Sequence, residues 1–74
     1  MTPPTDDDTS RSRILDAAEA AFAEHGLAGA RVAAIATAAD ANKAMVYYWF
    51  KSKKGLYDAV LERVFEQIVA MVDA

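Results

Sequence analysis

The chain has no cysteine, a single histidine, two prolines and three glycines in 74 residues. Without cysteine it has no disulfide and no thiolate ligand for zinc, and His25 alone cannot hold a metal. No metal or cofactor is therefore expected. No apolar run approaches the ~18 residues of a membrane span. The start, Met1 to Ser10, carries Asp6, Asp7 and Asp8 where a secretory signal would have a basic and then an apolar region. A glycine-rich phosphate loop, a nucleophile beside a base and a facing pair of carboxylates are all missing, so catalysis is not expected. No stretch alternates with period two for long enough to form a strand. What remains is one small domain, expected in a reducing cytoplasm, whose core stabilises by only ~3–5 kcal/mol.

Positive charge is also scarce, with eight Lys and Arg against eleven Asp and Glu and a net charge of −3. Its distribution matters more than its sum. Residues 1–10 carry three aspartates and no cation. Residues 11–39 balance. Residues 40–57 hold Lys43, Lys51, Lys53 and Lys54 against Asp40 alone, and residues 58–74 are acidic again. The local field favourable to phosphate is confined to one stretch.

Apolar spacing gives an all-α chain. Met1–Ser10 has no bulky apolar residue after Met1 and is expected to be a disordered arm, with Thr9 or Ser10 capping the helix that follows. A first helix is predicted from about Ser12 to His25, with Ile14, Leu15, Ala18 and Phe22 on one stripe and Gly26 as a left-handed cap. Leu27–Ala30 reads as a connection. A second helix spans roughly Arg31 to Ala39 with Val32, Ile35, Ala36 and Ala39 inward. Asp40-Ala41-Asn42 is a tight turn, and Asn42 caps a third helix, Lys43–Phe50. Lys51 and Ser52 end that helix, and Ser52 caps a fourth from Lys53 onward. The seventeen alanines fit helix propensity and close helix packing.

Two short helices joined by a three-residue turn, the second basic and aromatic, have the pattern of a helix-turn-helix. Val46 and Phe50 should face the core, leaving Lys43, Ala44, Met45, Tyr47 and Tyr48 on the other faces and Trp49 at the edge. Three consecutive aromatics point in directions about 100° apart and cannot all enter one small core. Phosphate contact through a hydroxyl or indole N–H would account for an exposed one. Arg11 and Arg13 are open between phosphate contact and solvent.

The segment Ala39-Asp40-Ala41-Asn42-Lys43-Ala44-Met45-Val46-Tyr47-Tyr48-Trp49-Phe50-Lys51-Ser52-Lys53 resembles the headpiece of the TetR family of bacterial repressors. The resemblance runs from about Arg13 to Leu61 and includes Ala21-Phe22, Gly26, Val32-Ala33-Ala34-Ile35-Ala36 and Lys54-Gly55-Leu56-Tyr57. It implies a three-helix, homeodomain-like headpiece at residues 11–55, with its turn motif at about 31–50. A connecting fourth helix follows at residues 56–74. It also implies a double-stranded DNA operator as partner, with the third helix reading bases. Contacts are then expected from Arg31, Asn42, Lys43, Ala44, Met45, Tyr47, Tyr48, Trp49 and Lys53, of which Tyr48 and Lys53 would hold phosphates. Where this chain has Asp40, Ala30, Ala44-Met45 and Trp49, the family commonly has glycine, a capping threonine, Gly-Thr or Gly-Ser, and histidine. Met45 could offer only apolar contact, for example to a thymine methyl.

The fourth helix is apolar over more of its circumference than a three-helix headpiece could cover: Leu56, Val60, Val64, Ile68, Met71 and Val72 form one stripe, widened by Ala59, Leu61, Phe65 and Val69. In the family this helix leads to a large domain that binds an effector and dimerises. That domain is expected to be absent here, so the homodimer of a full-length relative is not expected of so short a chain. The rival reading is a protein-interaction module acting through the apolar fourth helix.

Overall fold

A computed structural model describes the backbone of residues 5–73 and the side chains of residues 10–72. Four helices follow one another: α1 (Thr5–Gly29), α2 (Val32–Ala38), α3 (Lys43–Phe50) and α4 (Lys53–Asp73). None of the described residues lies in a strand. The all-α expectation holds, and the helix order follows the apolar spacing.

The core is built from the predicted stripes. Ile14, Leu15, Ala18 and Phe22 of α1 meet Val32, Ile35 and Ala36 of α2, with Ala39 beyond its end. Val46 and Phe50 of α3 and Leu56 and Val60 of α4 close the cluster. No polar or charged side chain is buried among the described residues. The rings of Phe22 and Tyr57 pack edge to face at 5.0 Å and join α1 to α4. Nearly two turns further along, Arg63 of α4 reaches Asp16 at 2.9 Å and Glu19 at 2.6 Å on α1. The Glu19 hydrogen bond above all raises the Arg63 guanidinium above its ordinary value, so the charge is present at every working pH. Helical spacing cannot reveal this contact, because Glu19 and Arg63 lie 44 positions apart.

The first helix differs from expectation at both ends. It begins at Thr5, so the part of the expected disordered arm from Thr5 to Ser10 is helical. Met1–Pro4 lie outside the described residues, and a side-chain cap by Thr9 or Ser10 has no place once the helix starts earlier. At the other end Gly26 has φ 74° and ψ 174°. The positive φ was expected, but this ψ lies outside the left-handed helical well, in a region open essentially to glycine alone. The chain kinks there and winds one more turn, closed by the Ala30 N–H donating to the Gly26 carbonyl at 3.0 Å. The predicted connection at Leu27–Ala30 is mostly that turn.

The second helix starts after Arg31, which stands at the cap position with extended backbone and no side-chain cap. The missing cap expected at Ala30 is thus displaced by one residue. The end of α2 is better fixed. Asp40 adopts φ 56°, its N–H donates to Thr37, and the Ala41 N–H donates back to Ala36 at 2.8 Å. Those two bonds make a Schellman closure, which needs a left-handed residue at its centre. Aspartate tolerates that conformation better than most residues and so can replace the common glycine.

Candidate nucleic-acid interface

The turn delivers Asn42 to the start of α3 with extended backbone, and its carboxamide oxygen accepts from the Met45 N–H at 2.9 Å. This is the predicted N-cap, and it sets the rotation of the helix about its axis. Val46 and Phe50 are buried as the four-residue spacing requires. Lys43 and Ala44 are exposed on the first turn. Tyr47 and Tyr48 are 41% and 70% exposed, large values for tyrosines beside an apolar core. Met45 and Trp49 are half-buried and pack against the core cluster. Trp49 also meets the ring of Tyr48 edge to face at 5.1 Å. Of three consecutive aromatics, the two tyrosines face outward and the tryptophan takes the seam.

The end of α3 is held by two local devices. Lys51 has φ 74° and its N–H donates to Tyr47. The Ser52 hydroxyl accepts from the Gly55 N–H at 2.9 Å, the cap expected for α4. Gly55 is needed for space: a Cβ there would fall far inside contact distance of the Phe50 carbonyl oxygen.

The basic residues divide. The Lys53 ammonium donates to the Ala30 carbonyl at 2.9 Å, tying the start of α4 to the chain just before α2. Two of its three N–H donors remain for other acceptors. Lys54 pairs with Asp58 one turn on, at 3.0 Å. Arg31 and Lys51 are exposed. Of the two arginines left open by the sequence, Arg13 donates from Nε to the Ala39 carbonyl at 2.9 Å, sealing the free end of α2. Arg11 lies over the Phe50 ring, 5.2 Å from its centroid. Both partners are distant in sequence, so no spacing rule could have found them. His25 is exposed and stands 3.7 Å from Glu24. Among the described residues no group of three His, Asp or Glu side chains could hold a metal ion, and no helix is long and apolar enough to cross a membrane.

Three packed helices, a closed turn and a capped third helix with a basic, aromatic outer face define the helix-turn-helix class of DNA-binding headpiece. A family model described as bacterial regulatory proteins, tetR family, matches residues 14–60. The chain belongs to the TetR family. It is 45% identical over 58 residues to the HTH-type transcriptional repressor SCO4008 of Streptomyces coelicolor, covering 78% of this chain and 30% of that protein. It is 41% identical over 58 residues to the HTH-type transcriptional repressor NicS of Pseudomonas putida, covering 78% of this chain and 27% of the relative. To the HTH-type transcriptional repressor KstR2 of Rhodococcus jostii it is 38% identical over 73 residues, 92% of this chain and 36% of the relative. The chain thus spans about a third of the length of these relatives. The part shared with them is the helix-turn-helix headpiece.

Proposed function

We propose that the chain is the DNA-reading end of a transcriptional repressor, with α3 lying in the major groove of an operator. The observation that carries this reading is the outer face of α3. Lys43, Ala44, Tyr47 and Tyr48 are exposed together on a helix whose opposite face is locked into the core. An exposed phenol is poorly explained by packing and well explained by phosphate, to which it donates one short hydrogen bond. Base edges then fall to Lys43, Ala44 and Tyr47. Phosphates fall to Arg31, Tyr48 and Lys53, with the Trp49 N–H at the seam. Asn42 and Met45 serve mainly to set and pack the helix. The acting unit is residues 11–55, with Leu56 and Val60 completing its core, and the rest of residues 56–74 leads out of it. The repressor role rests on the printed names of the relatives. Cytoplasmic location and the lack of catalysis follow from that role. A homodimer on a two-fold operator is the form expected of a full-length relative, since two linked headpieces gain affinity that one lacks.

The test is binding of the chain to a labelled duplex across a salt series. A slope of log K against log salt of ~0.9 per phosphate neutralised is expected. Tyr48→Phe removes one exposed hydroxyl without touching the core and should weaken binding about tenfold. Lys43→Ala should weaken it as well. Unchanged binding in both variants would overturn the placement of α3.

One observation favours a second reading, a protein-interaction module. Phe65 is 65% and Val72 79% exposed on the far half of α4. That reading requires Phe65→Glu to abolish association with a protein partner, while Tyr48→Phe and Lys43→Ala leave the activity intact.

A further inference from the structure

We infer that Ala44 is a specificity-determining residue, its methyl group reading the 5-methyl of a thymine in the major groove. The inference rests on the placement of α3 just proposed, and it follows from what the first turn of that helix presents. Bases are read mainly by the N-terminal residues of a reading helix.

Three of the four side chains there are restricted. The Asn42 carboxamide oxygen is turned back to the Met45 N–H, which splits the donor–acceptor pair that a bidentate contact to adenine needs. Lys43 carries donors only and suits guanine or phosphate. Met45, the residue from which the sequence suggested a thymine contact, is half-buried and packed on the core. Its flexible thioether therefore gives only part of its surface to the outside.

Ala44 is the apolar group left outside. Tyr47 and Tyr48 follow it by three and four residues and share its face. Beside it lies a hollow of about 410 Å³, lined by Ala44, Asn42, Met45, Tyr48, Trp49 and Ser10. A side chain with neither donor nor acceptor gains nothing from the polar edges of guanine, cytosine or adenine. The one major-groove feature that rewards a bare methyl is the thymine methyl.

Alanine is also the best helix former, so the test separates reading from propensity. The 74-residue chain is used to select duplexes from a randomised pool at low ionic strength. The enriched duplex is then remade with deoxyuridine in place of thymine, one position at a time. Deoxyuridine keeps the base pair and lacks only the methyl. At one position the swap should weaken binding of the parent about three- to fivefold. Ala44→Gly and Ala44→Ser should bind the thymine duplex more weakly and be indifferent to the swap at that position alone. The serine variant guards against loss of the helix, since serine is tolerated in a first turn.

If both variants weaken the two duplexes by the same factor, with the swap effect kept, Ala44 acts through helix stability and the inference is overturned. An enriched motif in which no thymine responds to the swap overturns it too, leaving α3 in the groove. No selective or non-selective DNA binding at all would overturn the placement of α3 along with it.

Discussion

Three residues with unusual backbone or crowding make opposite demands on the side chain. Gly26 has nothing within 4 Å of where a Cβ would stand, yet its φ and ψ are open only to glycine. Gly26→Ala should destabilise by at least ~1–2 kcal/mol through backbone strain alone. Gly55 has an ordinary φ and no room, so Gly55→Ala should cost about 2–3 kcal/mol by forcing α4 away from the Phe50 carbonyl. Asp40 is the reverse case, an L-residue held at φ 56° where glycine would be unstrained. Asp40→Gly should stabilise by about 0.5–1 kcal/mol. Urea melts of the three variants check all of this: two midpoints should fall and one rise, with slopes unchanged. A fall for Asp40→Gly would mean that its side chain does something at the turn beyond tolerating the angle.

At the scale of the helix, α2 trades stability for charge. Arg31 occupies its cap position with the extended backbone a capping side chain uses, but caps nothing. Arg31→Ser should add about 1 kcal/mol of stability by satisfying a free N–H of the first turn. The same change removes a proposed phosphate contact, so DNA affinity should drop as the melting temperature rises. Thermal melting and duplex titration of one variant read both effects, and a rise in both would remove Arg31 from the interface. The helices themselves were legible in advance. Val32, Ile35, Ala36 and Ala39 stand at 3.6-residue spacing and are all buried, and the Asn42 and Ser52 caps needed only local chemistry. The contacts that orient one helix on another were not legible. Arg13 to Ala39, Lys53 to Ala30 and Arg63 to Glu19 join residues 26, 23 and 44 positions apart. A long cation on a helix surface looks solvated until the fold brings an acceptor to it. Met45 shows the same limit in the proposed interface, because its half-turn toward the core depends on how α3 is seated.

For the molecule as a whole, the far half of α4 contributes little to the headpiece. Beyond Val64, which packs on the core, Phe65, Ile68, Val69, Met71 and Val72 are exposed. Phe65→Glu with Ile68→Glu should therefore leave the urea midpoint within about 0.5 kcal/mol of the parent. The same pair should remove any rise of hydrodynamic mass with concentration, as light scattering would show. A large loss of stability would mean that this segment folds back on the headpiece. The geometry of α4 also has a mechanical side. One half is gripped through Leu56, Val60, the Phe22–Tyr57 ring pair and the Arg63 clamp on Asp16 and Glu19. Val64 packs on the core as well, and the other half, from Phe65 to Asp73, is a rod about 13 Å long at ~1.5 Å per residue. A tilt of about 10° at the grip would carry its tip by roughly 2 Å at that length. Run in reverse, a push at the tip arrives at the grip multiplied in force and reduced in travel. Its first strain would fall on the Val64 packing and the Arg63 clamp, which would make α4 a crank with its bearing on α1.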